Sequence, residues 1–448
     1  MRALRWILGL GVIVVVIAAL AIAVAGLWLN TYLHSSDFKQ EVEARAGQSL
    51  GGSVRIGQVD FDLWHGVKLQ GIVYQLEPGH VSGPGTVQAK IAHLNCAYDW
   101  MQLLHRELRL TGVTLDEPQI VLTREPTAAP LAPPVGEPPK PAGLPAPAKI
   151  GQGKSVPFQF VLERAKIVNG AVSVRDVGGG PMVELTGVNA NSTLEGGVMK
   201  GTVRIAKAVS STGAEVNDFK APFVYQGSSL EATPLEATAF SGNLAGGYQF
   251  SPTGSLLDLN ARAVKVAEVM AALSPGSSSR LTGSLDMQSK WRNLETGTID
   301  GEGDAQVVNG KLEGVRLLQT VSQLIRVKEL EAPIVKKAQV HFVTQGGQTK
   351  LIGLQLESSF FLVTGDGVIG GNGAVQANLV LILTRDAMNK IPKEVAASFV
   401  QKPDGTGSIA FQVSGTLSNP QTDLPARMLM QNSKIQNAIQ KALNKFFH

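Results

Sequence analysis

Histidine, cysteine and carboxylate side chains most often carry catalysis or hold metal, and their spacing in this chain supports neither role. The seven histidines stand at 34, 65, 80, 93, 105, 341 and 448, and none forms the i, i+4 pair that brings two imidazoles to one helix face. Cys96 is alone. It can form no internal disulfide and no cysteine-based metal site, and it reads as a small buried apolar residue. No Gly-x-Ser-x-Gly elbow presents a serine, and no Gly-rich loop ends in Gly-Lys-Ser/Thr to cradle phosphates. Gly365–Gly370 (GDGVIG) matches the dinucleotide fingerprint letter by letter. The residues after it, GNGAVQANLVLIL, read as a turn and a strand, where pyrophosphate binding needs a helix N-terminus. Asp60/Asp62 and Glu329/Glu331 alternate with apolar residues or flank a turn, the pattern of a solvated face rather than an acid–base couple. The chain is therefore expected not to be an enzyme and to carry no cofactor and no metal.

What stands out instead is apolar. FFLV at Phe360–Val363 and NLVLIL at Asn378–Leu383 place apolar side chains on both faces of a strand. Such a strand needs cover on both sides. In a chain this poor in helix, the cover is either a second sheet or something that is not protein.

The elements that would position these strands begin with Trp6–Leu29, which contains no charged residue. As a helix it would be roughly 36 Å long, against a hydrocarbon core of about 30 Å. Arg2 and Arg5 precede it, and Trp6 and Trp28 stand at its ends where aromatic rings settle at the interface. The basic flank orients the N-terminus to the cytoplasm. Ala23-Val24-Ala25 resembles a cleavage site, but the apolar run exceeds the usual length of about 7–15 residues in a signal peptide, so a retained single-pass anchor is expected. The remainder of the 448 residues suffices for two or more domains. Lys and Arg number 40 against 36 Asp and Glu, scattered rather than clustered, which excludes a nucleic-acid partner on charge.

After the anchor, Ser35–Leu50 reads as a short helix stopped by Gly51-Gly52. From Val54 the apolar beat of a strand begins, and its phase slips at Gly57 as at a bulge. Strands follow at 87–98 and 107–124, the second with a turn at Asp116–Pro118. Pro126–Pro147 holds nine of the 23 prolines and reads as a linker or loop. Strand then follows strand from Val156 to Val413, punctuated by Gly, Asn and Asp. Short echoes recur without a fixed period: AKIVNGAVSV at 165 and AQVVNGKLEGV at 305, LTGV at 110 and 185, LTGS at 281. Helical pieces are expected at Val266–Leu273, Gly314–Ile325 and Arg385–Val400. The tail is amphipathic, with Ile435, Ile439, Ala442, Leu443 and Phe446 on one face. The expected organisation is a tail at 1–5, an anchor at 6–29, a β region at 30–124, the Pro-rich segment at 125–156, a second β region at 157–423 and an amphipathic helix at 424–448.

Several stretches resemble one family. They are the anchor, QSLGGSVRIGQVDFDLWHGVKLQGI, LTGVTLDEPQIVLTRE, and then VKVAEVMAALSP, RLTGSLDMQSKW, GEGDAQVVNGKLEGVRLLQTVS, LIGLQLESSFFLVTGDGVIGGNGAVQANLVLIL and GTLSNPQTDLP. In this order they are similar to the AsmA-like proteins, which are anchored in the bacterial inner membrane, carry a β-rich periplasmic body and are distantly akin to bridge-like lipid-transfer proteins. The resemblance covers about 200 residues and rests on small and apolar positions. It implies a mainly β fold: one transmembrane helix, then a long curved, mostly antiparallel sheet forming an apolar groove, with a few short helices and a C-terminal amphipathic helix.

The function it implies is binding or conducting phospholipid between inner and outer membrane. The partners would be phospholipid acyl chains, the inner membrane and, at the far end, the outer membrane or a periplasmic partner protein. Candidate groove residues are Val59 and Phe61 near the anchor, Leu354, Leu356, Phe361 and Val363 in the middle, and Leu379, Leu381, Leu383 and Phe411 beyond. Arg2, Arg5, Trp6 and Trp28 are the membrane-interface candidates. The alternative is a periplasmic scaffold that assists outer-membrane protein assembly, which would need a binding edge or exposed patch and no bound lipid.

Overall fold

The computed structural model describes residues 51–62, 66–76, 85–99, 107–124, 159–176, 180–273, 280–294, 299–314, 331–417 and 419–431, with isolated positions within 40–48 and at 178 and 322. The anchor at 6–29 with Arg2, Arg5, Trp6 and Trp28, most of the helix at 35–50, the Pro-rich segment, the helix expected at Gly314–Ile325 and the tail beyond Gln431 lie outside the described residues. Among the described residues no helix is long and apolar enough to cross a membrane.

The described chain is mainly β, with 24 strands and few helices. It divides into two units, Met1–Thr238 with Gly246–Ser255, and Ala239–Ala245 with Leu256–His448. The first unit opens with β1 (Gly52–Arg55), β2 (Gln58–Asp62), β3 (Gly66–Leu76) and β4 (Gly85–Tyr98). Buried and exposed side chains alternate along β3: Val67, Leu69, Ile72 and Tyr74 point inward. The beat changes phase at Gly71, which takes φ +63°. The slip expected at Gly57 is real in phase but is not a bulge. Arg55 faces Val73 and Gln58 faces Gln70, so no residue is extra. Both strands change phase together, so the pairing stays in step.

β5 (Glu107–Asp116) and β6 (Gln119–Arg124) follow, and the turn expected at Asp116–Pro118 is a kink. His93 faces Asp116 and Lys90 faces Gln119 across β4, so 107–124 runs on as one interrupted strand. Glu117 takes φ +50° there, and its N–H donates to Val168 O at 2.9 Å. On its other side this strand pairs in parallel with β7 (Gln159–Leu162) and β8 (Arg164–Arg175). Parallel neighbours require a crossover that returns the full strand length. The Pro-rich segment is therefore the return connection between adjacent strands of one unit. It must span about 55 Å, the rise of some 17 residues, and the 34 residues 125–158 do so with length to spare.

β9 (Pro181–Glu195), β10 (Val198–Ser210), β11 (Glu215–Gln226) and β12 (Ser229–Ala239) complete the first unit, and β13 (Gly242–Ser251) is divided between the two. A single core joins Ala46 to the inner faces of β1, β3–β6, β8 and β9, from Val54 to Val188. In the second unit come most of β14 (Gly254–Lys265), from Leu256 on, then α1 (Val266–Leu273), β15 (Arg280–Leu281), β16 (Ser284–Arg292), β17 (Asp300–Glu313), β18 (Ile334–Gln345), β19 (Gln348–Ser358), β20 (Phe361–Ile369) and β21 (Val375–Leu383). The chain then forms α2 (Arg385–Lys390) and α3 (Lys393–Ala396), the strands β22 (Val400–Gln401), β23 (Gly407–Thr416) and β24 (Asn419–Thr422), and α4 (Leu424–Gln431). The single helix expected at Arg385–Val400 is thus two, because Pro392 lacks an N–H to continue the first. α1 falls where the spacing predicts it.

The sequence echoes mark a repeated device. Asn169 and Asn309, each in a Val-Asn-Gly triplet, take φ +51° and +53° in mid-strand. Each triplet lies beside a Leu-Thr-Gly on the neighbouring strand. Asn169 N–H donates to the Asn189 side chain just past Gly187, and Lys311 N–H donates to Thr282 Oγ1. Asn tolerates left-handed backbone better than other side-chain-bearing residues, so these strands shift phase without ending.

The crossover geometry sets a length test. Removing eight residues from 126–147 should leave stability within about 0.5 kcal/mol by urea unfolding, as for a surface change. Cutting the connection to about 12 residues, too short for 55 Å at some 3.5 Å each, should abolish the cooperative transition of the first unit.

Candidate functional site

Antiparallel register carries one face of the second unit from strand to strand. Trp291 on β16 faces Gly301, and Met287 faces Ala305. Gly303 and Ala305 face Phe342 and Val340 on β18, and Phe342 faces Leu351 on β19. Leu354 and Leu356 face Gly365 and Val363 on β20, which face Leu379 and Leu381 on β21. The opposite face carries Lys290, Asp304, His341, Lys350, Glu357 and Asp366, and His341 pairs there with Asp304 at 3.0 Å. The first side is apolar, while the other mixes these charged residues with exposed Ile352 and Val368.

From β16 to β19 the large residues on the apolar side are only half-buried: Trp291, Met287, Val340, Phe342, Leu351, Leu354 and Leu356. Two aromatic rings lie over glycines. A Cβ on Gly303 would stand 2.7 Å from Phe342 Cζ, and one on Gly301 would strike the Trp291 ring. The rings are tilted by 32° with centroids 5.8 Å apart. The polar atoms on this floor are bonded to one another. Trp291 Nε1 donates to Ser289 Oγ at 2.9 Å, and Thr344 and Thr349 hydroxyls pair at 3.0 Å. An occupant would therefore meet a surface with its hydrogen bonding already satisfied, which suits hydrocarbon and not a polar solute.

At β21 and β23 the same face is closed. Leu379 and Leu381 face Phe411 and Ile409, and α2, α3 and α4 pack over them with Met388, Ile391, Phe399, Leu424 and Met428. Phe361 is 1 % exposed and Leu383 0 %.

The sequence-derived groove residues therefore separate into groups. Leu354 lies on the half-open face, while Leu356, Val363 and Leu379 are half-buried at its border, packed against the helix-covered core. Phe361, Leu381, Leu383 and Phe411 lie on the same face but inside the core beneath the helices. Val59 is half-buried against the core of the first unit, and the Phe61 side chain lies outside the described residues. Trp291, Phe342 and Leu351 were missed because their strands alternate with charged residues and look one-sided. The signal that could have found them is the glycine opposite each ring. The second faces of Phe360–Val363 and Asn378–Leu383 carry Leu362, Val380 and Ile382, which are half-buried, with Leu362 opposite Ile382.

No metal-binding cluster exists among the described residues. Cys96 is buried, and burial pushes its thiol up to about 12, so it stays protonated and unreactive. GDGVIG lies in β20 and the turn after it, where Gly370 N–H donates to Ala374 O. Asp60 is exposed on β2. Compared with protein-family models, with curated proteins and with solved structures, the chain matches none.

Asp423 ties α4 to the sheet. Its carboxylate accepts from Gln412 N–H at 2.6 Å and from Arg427 Nε at 2.5 Å. Burial pushes its pKa up, but these bonds and the Arg427 charge outweigh that and hold the carboxyl below the usual range. A carboxyl depressed in the folded state stabilises above the unfolded value of about 3.9 and loses that contribution as pH falls through the folded value. Amide exchange in 424–431 should therefore rise as pH falls below about 4 after correction for intrinsic rates. Asp423→Asn should raise it at neutral pH and flatten that dependence.

Proposed function

We propose that this protein binds phospholipid by its acyl chains on the half-open apolar face of the second unit. Tethered to the inner membrane by 6–29, it would hold or pass lipid on the way between inner and outer membrane. The supporting observation is the run from Trp291 to Leu354, apolar and half-buried, with its polar atoms internally bonded. The resemblance to AsmA-like proteins points the same way.

Magnitudes favour the idea. Each methylene exposed to water costs about 0.8 kcal/mol, so a chain of some 16 carbons drawn fully into water faces roughly 12 kcal/mol. An apolar face that shields half of it removes about 6 kcal/mol. No chemistry is required of the protein, only a dry surface of the right width.

The test is photocrosslinking in cells from Leu354, on the apolar face, with Gln355 beside it on the exposed face as control. Phospholipid adducts at 354 and none at 355 are expected. Adducts only to protein at 354 would overturn the lipid reading and favour a scaffold for outer-membrane protein assembly.

A further inference from the structure

The face that is half-open at β16–β19 does not run open to the last strand. We infer that α2, α3 and α4 form a fixed end wall, so that an acyl chain held on this face stops at Leu356–Val363 and cannot pass across β21 and β23. This rests on the phospholipid reading and sharpens it: the second unit becomes a dead-ended holding site rather than a length of open conduit.

The wall is tied to the sheet at three separate places. At its start, Thr384 caps α2, its N–H and hydroxyl both donating to Phe360 O at 3.0 and 3.2 Å. In its middle, the Met388 thioether fills the space above Gly407, where a Cβ would strike the sulfur. At its end, the buried Ser398 hydroxyl donates to Met428 O at 2.7 Å, joining the segment after α3 to α4, which Asp423 binds to β23. Lifting the wall would break these bonds together and expose Met388, Ile391, Phe399, Leu424 and Met428 to water. A mobile lid is built the other way, with few buried contacts and solvent-exposed bonds.

The size of the open stretch agrees. Five neighbouring strands, β14 and β16 to β19, span about 19 Å at some 4.8 Å per step, since Leu257 on β14 faces Trp291 and is half-buried like it. One leaflet's hydrocarbon is about 15 Å deep. The stretch accommodates one acyl chain laid across the strands, with the wall at its far end. Loading and release would then occur over the strand ends, not past β21.

Methionine supplies a near-isosteric probe on both sides of the wall. Met287 lies half-buried on the open face, while Met388 and Met428 are buried in the wall. The full chain, made with a diazirine analogue of methionine and reconstituted in phosphatidylethanolamine–phosphatidylglycerol vesicles, is irradiated and its lipid adducts are mapped by peptide mass. Adducts at Met287 at least tenfold above those at Met388 and Met428 are expected. Equal labelling at Met287 and Met428 would overturn the wall while leaving lipid binding intact. Labelling at none of the three would overturn both.

Discussion

A sheet face of apolar side chains must be kept from water, and this requirement governs the molecule. Period-two alternation puts every second residue on one face, and antiparallel register carries that face from strand to strand. In the first unit protein meets the demand as far as β9, in a continuous core from Val54 to Val188 with Ala46 against it, while Val203, Ile205, Phe219 and Phe223 on β10 and β11 are half-buried. In the second it is met at β21 and β23 by three short helices. From β16 to Leu354 the large side chains of this face are half-buried. On the reading proposed above, acyl chains supply the remaining cover.

Local choices along the open face fit that reading. Glycine at 301 and 303 lets Trp291 and Phe342 lie down, which flattens the floor instead of studding it. Ser289, Thr344 and Thr349 would be liabilities on a dry surface, and each is bonded within the floor. The Val-Asn-Gly shifts at Asn169 and Asn309 re-aim side chains without ending the strand, so a long strand can keep its apolar residues on one side despite a local twist.

Much of this was legible in the sequence, and the exceptions have physical causes. Strand content, α1, and the turn and strand after GDGVIG followed from alternation and turn residues. The kink at Glu117-Pro118 reads as a turn because Asp-Glu-Pro is turn chemistry, and only cross-strand register shows that the strand runs on. Parallel pairing across the Pro-rich segment is a long-range fact that no local pattern encodes. The two-sided strands drew attention to Phe361, Leu381 and Leu383, which are apolar because helices cover them. That cover was hard to foresee, since Ala387, Met388, Ile391 and Phe399 follow no single helical period across Pro392. The open residues nearby, Trp291 and Phe342, sit in strands of ordinary appearance.

The most direct measurement uses Trp291 as its own reporter. In the full chain with Trp6, Trp28, Trp64 and Trp100 replaced by phenylalanine, reconstituted in vesicles whose phospholipid acyl chains carry bromine, emission comes from Trp291 alone. Bromine quenches only on near contact with the ring. Strong quenching by chain-brominated lipid, with little by lipid brominated in the headgroup, is the predicted result. Trp291 emission unchanged by either lipid would contradict the claim that acyl chains occupy this face.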